Sequence, residues 1–164
     1  MTDSNPNTTT TLSSDFLSGP ANISLTRIDF SKTHLHGYNG YYAVVLDNVL
    51  SPHECALLVQ AAEAQTNGTW EPAMVNAGGN RQVLSLMVRN CGRIMWDSED
   101  MVAKIWARIE DALPELQMLE GWAHVMGNGP VYRGERWRVA RLNERMRFLK
   151  YGAGQYFRGI YSPS

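Results

Sequence analysis

Leu142-Asn143-Glu144-Arg145-Met146-Arg147-Phe148-Leu149-Lys150-Tyr151-Gly152-Ala153-Gly154-Gln155-Tyr156-Phe157-Arg158 is the stretch on which the fold turns. Leu142, Met146 and Phe148 share one parity, and Arg141, Asn143, Arg145 and Arg147 share the other. Side chains two apart line the same face of a strand, so the pattern predicts a half-buried strand with a cationic face. The extended reading runs from Trp137 to Tyr151. Gly152-Ala153-Gly154 then breaks it.

Moving outward, two helices are expected. Ser51-Pro52-His53-Glu54 is a capping box with proline at the first helical position, where its missing N–H costs nothing. Cys55, Leu57, Leu58, Ala61 and Ala62 follow as a helical stripe that fades near Asn67-Gly68. The second helix starts near Asp97-Ser98, with Glu99 and Asp100 where the helix dipole favours negative charge. Met101, Val102, Ile105, Trp106, Ile109, Ala112 and Leu113 form its apolar face, and Pro114 ends it. Tyr41–Leu46 reads as a buried strand, and residues 21–40 allow a short strand. Residues 121–135, with four glycines and a proline, read as a long loop.

The chain has 164 residues, 44% hydrophobic and 19% charged, enough for one domain with a core. No run approaches the roughly 18 apolar residues of a membrane span, so no membrane association is expected. Met1–Pro20 lacks a basic region followed by an apolar one, so no secretory signal is read and a cytoplasmic or nuclear location follows. Cys55 and Cys91 have no metal-type spacing and read as small buried hydrophobes. Net charge is −1, but residues 1–132 hold 7 basic and 14 acidic side chains, and residues 133–164 hold 8 and 2. That asymmetry fits an anion or nucleic-acid surface, or a basic sheet face set against acidic helices.

Three stretches resemble one family. Gly40-Tyr41-Tyr42 through Leu50-Ser51-Pro52-His53-Glu54 is similar to its opening strand and helix. Arg89-Asn90-Cys91-Gly92-Arg93, with Asp97 and Trp106-Ala107-Arg108-Ile109, resembles its second signature. Leu142–Arg158 is similar to the strand leading into the active site of 2-oxoglutarate- and Fe(II)-dependent dioxygenases of the prolyl 4-hydroxylase alpha-subunit-like, fungal type. The resemblance covers roughly residues 38–158.

The resemblance implies an α+β fold: N-terminal helices plus the first strands of a double-stranded β-helix, jelly-roll-like and incomplete. It implies a disordered tail at 1–20, the N-terminal part of a dioxygenase domain at 21–158, and a divergent end at 159–164. The full-length form would hydroxylate a protein prolyl or related carbon, using Fe(II), 2-oxoglutarate and ascorbate. Family members follow this strand with His-x-Asp and supply a second His later, three ligands on one face of the iron. Here Ile160 and Ser162 stand where His and Asp are expected, and no His-x-Asp occurs in the chain. The expectation is therefore a chain truncated before the metal motif, inactive alone and binding no cofactor, with no catalytic or metal-ligating residue assigned. Tyr151 matches the family tyrosine whose hydroxyl contacts 2-oxoglutarate; the bland alternative is a tyrosine packed at a strand end. The alternative function is a non-catalytic interaction or regulatory module that binds a homologous full-length chain or a protein substrate. A third reading builds a metal site from His34 and His36, which would share a face on a strand. Trp137 and Tyr151 offer stacking faces beside the arginines. The family accounts for that stretch without nucleic acid, so no such partner is expected. Arg89 and Arg93 are expected to pair with helix acids such as Asp97.

Overall fold

The structure, a computed structural model, describes residues 12–79 and 81–158. Nine strands and four α-helices alternate along it. They run β1 (Ser24–Arg27), β2 (Val44–Asp47), α1 (Pro52–Gln65), β3 (Glu71–Pro72), β4 (Val75–Asn76), β5 (Gln82–Val83), β6 (Arg89–Asn90) and β7 (Gly92–Asp97). Then come α2 (Glu99–Ile109), α3 (Ala123–Met126), α4 (Asn128–Tyr132), β8 (Arg145–Lys150) and β9 (Tyr156–Phe157). The architecture is mixed α+β, and every strand pairing is antiparallel.

The chain divides into two compact units, passing from one to the other after Ser14, Glu54, Ser98 and Glu144. The sheet unit contains Cys55–Ser98 and residues 145–158. The helical unit contains Asp15–Glu54 and Glu99–Glu144.

In the sheet unit, β3, β7 and β8 form a three-stranded sheet in that order. Its register pairs Gly92 with Lys150, Ile94 with Phe148, Trp96 with Met146 and Asp97 with Arg145. Period-two alternation sends Ile94, Trp96, Met146 and Phe148 to one face, where Ile94 is only 1% exposed and Trp96 stacks near Phe148 at 6.4 Å. The opposite face carries Met95, Arg145 and Arg147, all exposed. The alternation read from sequence is thus present, but the strand starts at Arg145 rather than Trp137. Leu58, Ala61 and Ala62 of α1, with Ala73 and Cys91, complete the buried set of this unit.

The capping box forms as read. The Ser51 amide donates to Glu54 Oε2 at 2.7 Å, and the Glu54 amide donates to Ser51 Oγ at 3.2 Å. Asn67 (φ 49°) and Gly68 (φ 76°) then turn the chain left-handed, and the Gly68 amide closes on the Glu63 carbonyl at 2.8 Å. Cys55 departs from expectation. It sits at the helix start on the solvent side and is exposed, whereas Cys91 is buried.

The helical unit is built on α2, whose Met101, Val102 and Trp106 are buried with Leu113, Leu119 and Met126. β1 and β2 pair from Ser24↔Asp47 to Arg27↔Val44. The Tyr41–Leu46 run is therefore a strand only from Val44, and its residues alternate between half-buried and exposed. Residues 121–135 are not a plain loop. They hold the short helices α3 and α4, separated by Gly127 at φ 83°, a value that an L side chain rarely adopts. Trp137 makes a single bridge to Leu119 instead of starting a strand. Within the expected tail, Phe16 and Leu17 are buried. Residues 159–164, with Ile160 and Ser162, lie outside the described residues.

Candidate functional site

β8 runs out at Lys150, and the chain turns sharply. The Gln155 amide donates to the Gly152 carbonyl at 3.1 Å, the Gly152 amide donates to Gln155 Oε1 at 2.7 Å, and Gly154 takes φ 75°. The turn delivers β9 antiparallel to β6, with Arg89 opposite Phe157 and Asn90 opposite Tyr156. The Tyr156 hydroxyl donates to the Leu86 carbonyl at 2.8 Å, and the Arg89 guanidinium lies 4.4 Å from the Phe157 ring centre.

These pairings open a cleft of about 530 Å³ in the sheet unit. Asn90, Cys91 and Gly92, where β6 passes into β7, lie on one part of its lining. Trp70 and Pro72 lie on another, and Lys150, Tyr151 and Gln155 on a third. Gly92 lets the two segments approach closely there, since a Cβ at this position would stand only 3.0 Å from Trp70 Cβ. The Trp70 indole N–H donates to Glu63 Oε1 at 2.8 Å. Lys150 Nζ lies 3.7 Å from that same oxygen and 5.1 Å from the Trp70 ring centre. Lys150 is thus held at the cleft by a carboxylate and an aromatic face while keeping much of its surface in water.

Tyr151, the one residue expected to touch a co-substrate, lines this cleft and is 44% exposed. Lys150, Gln155, Asn90 and Trp70 join it. The first two sit inside the decisive stretch, but nothing in their local pattern marks them. Asn90 and Trp70 arrive through strand pairings remote in sequence. The lining can therefore offer one cation, one phenol and two amides to an anionic guest with an apolar body.

Other expected partners are rearranged. Asp97 pairs not with Arg89 or Arg93 but with Arg145, in a two-pronged contact at 2.8 and 2.7 Å that lowers the Asp97 pKa from the usual carboxylate value. The reason is register, which sets Arg145 directly across from Asp97. Arg93 is buried at 6% exposure and donates to Gln82 Oε1 at 3.2 Å. Arg89 reaches the Met74 carbonyl at 3.5 Å. His34 and His36 are both exposed, and His36 belongs to a 3₁₀ turn (His36–Tyr38), so the shared strand face does not form. Among the described residues no group of three His, Cys, Asp or Glu side chains is placed to hold a metal ion.

No family model, curated protein or solved structure matches the chain. Among the described residues, no helix is long and apolar enough to cross a membrane.

Proposed function

We propose that the chain is the front part of a 2-oxoglutarate- and Fe(II)-dependent dioxygenase of the prolyl 4-hydroxylase-like kind. Its helices and antiparallel strands are the first elements of a jelly-roll-like double-stranded β-helix. The observation that carries this reading is Tyr151, at the end of the alternating strand β8, on the wall of a cleft beside Lys150. The lining fits a dicarboxylate in part. The Tyr151 hydroxyl and the Lys150 ammonium would hold it, and the Gln155 and Asn90 amides would orient it. In such enzymes 2-oxoglutarate is decarboxylated to succinate as the target carbon, a protein prolyl or related carbon, is hydroxylated. The described residues do not fit the iron, since they bring no set of three ligands together. No step through the metal is assigned to them, and the chain alone is inactive in this reading.

A second reading, a non-catalytic module that binds a homologous chain or a protein substrate, is favoured by the sheet edge. β8 is the last strand of its sheet, and no further strand pairs with it among the described residues. Leu84, Leu86, Met87 and Phe157 are exposed in the same unit. Open edges and apolar patches invite a covering partner.

The test is succinate release from 2-oxoglutarate with added Fe(II) and ascorbate, run beside transcript sequencing across the Arg158 codon. No succinate above the protein-free blank is expected, with a His-x-Asp codon pair in a neighbouring frame or exon. Turnover would overturn the inactivity. A message with no such motif would overturn the family.

A further inference from the structure

Several aromatic side chains of the helical unit collect around a second cavity, open and about 600 Å³, whose lining includes Asp29, Phe30, Tyr41, Tyr42, Trp122 and His124. Their rings form a chain. Tyr42 meets Trp122 at 5.2 Å between centres, Trp122 stacks near His124 at 6.1 Å and 16°, and His124 meets Tyr41 at 4.6 Å. Tyr41 remains 47% exposed, so this wall faces water at its rim. Among the described residues Asp29 is the one carboxylate of the lining, and no Lys or Arg lines the cavity. Arg27 already lies over the Tyr42 ring at 5.6 Å, so a ring of this wall accepts a cation at its face. The helical unit as a whole carries 8 basic and 12 acidic side chains, a balance of −4.

We propose that this cavity binds a quaternary ammonium group, presented as a trimethylated lysine on a basic peptide. A cation sheathed in methyl groups has no N–H to donate, so it gains little from carbonyls and much from aromatic faces. Tyr41, Tyr42 and Trp122 supply those faces, and Asp29 supplies the counter-charge. The Lys32 ammonium, 3.0 Å from Asp29 and largely exposed, is the contact that an incoming cation loosens. The negative balance draws in a basic peptide and offers nothing to an anionic lipid surface.

The full chain would be titrated, with amide and indole N–H spectra as readout, with choline and with its neutral carbon isostere 3,3-dimethylbutan-1-ol. Further arms use a basic peptide with trimethyllysine, the same peptide with plain lysine, and phosphatidylcholine vesicles. Choline is expected to bind about tenfold more tightly than the isostere, with saturable shifts at the Trp122 indole and the Tyr41 and Tyr42 amides. The methylated peptide is expected to bind more tightly than the plain one. Asp29→Asn and Tyr41→Leu should each weaken choline several-fold with the rest of the spectrum unchanged. Tyr41 is exposed enough for that variant to fold, which keeps the test sound should Trp122→Leu unfold. Equal binding of choline and isostere would make this an apolar pocket only and overturn the proposal. Equal binding of the two peptides would reduce it to charge attraction, with the same consequence. Vesicle binding without peptide binding would overturn the peptide as source, and no saturable binding would overturn the site.

Discussion

Among the described residues the sheet unit carries 7 basic and 3 acidic side chains, and the helical unit 8 and 12. Each holds an aromatic-bearing cavity, and the charge lining each of these cavities has the sign of its unit. In the sheet unit the aromatic ring of Trp70 holds Lys150 at the cleft, leaving a cation and a phenol to meet an anion. In the helical unit the rings line up beside a lone carboxylate and leave faces to meet a cation. The lesson is that an aromatic cluster does not declare its ligand. In both proposals the charges beside it decide, and those are set by strand register in one unit and by loop packing in the other.

The two units also differ in what holds them. Both have an apolar core, around Ile94 in the sheet unit and around α2 in the helical unit, but in the helical unit a buried cation also ties three acceptors together. The Arg108 side chain is 5% exposed. It donates to the Val49 carbonyl at 3.0 Å, the Gly19 carbonyl at 3.1 Å and Glu54 Oε1 at 2.9 Å. Arg108→Ala removes three hydrogen bonds, one of them to a part-exposed carboxylate, and should cost about 2–3 kcal/mol, read as a lower urea midpoint. A cost near that of a surface substitution would break the contrast. Gly92→Val tests the sheet unit at its cleft. The new side chain collides with Trp70, and overpacking of this kind costs about 1–3 kcal/mol. It should also move Trp70 off Lys150, seen as a shift of the Trp70 indole resonance.

A smaller effect follows pH. Arg108, the Ser51 amide and the Ser51 hydroxyl hold the Glu54 carboxyl down to about 2, well below the usual glutamate value of 4.5. A carboxylate depressed by folding stabilises the native state above its unfolded pKa and loses that contribution as pH falls toward the folded one. Stability should therefore drop between pH 4.5 and about 2, on the order of 1–2 kcal/mol after solvent screening of a part-exposed group. Glu54→Gln should flatten that part of the profile in urea titrations. An unchanged slope would sever Glu54 from the acid limb.

What the sequence made legible was local. Ser51 and Glu54 are three apart, so the capping box could be read with both partners in view. The alternation of Arg145, Met146, Arg147 and Phe148 likewise carries its own period. β7 escaped because Ile94-Met95-Trp96 is a continuous apolar run with no alternation. α3 and α4 escaped because each is barely one turn long, and Gly127 and Gly129 read as loop. Tyr151 was found through a motif. Trp70 and Asn90 were not, because the β3–β7 and β6–β9 pairings that bring them to the cleft join segments far apart in the chain. Charge was legible as a sum over residues 1–132 and 133–164, but not as its division between two interleaved units.

The decisive measurement is a titration of the ¹⁵N-labelled chain with 2-oxoglutarate in the absence of iron. Saturable shifts are expected at Lys150, Tyr151, Gly152 and Gln155, with a dissociation constant in the millimolar range, on the order of −4 kcal/mol. Tyr151→Phe should weaken it further, and the aromatic cavity of the helical unit should not respond. Shifts centred on Tyr41 and Trp122, or none that saturate, would contradict the assignment of the cleft to an anionic co-substrate.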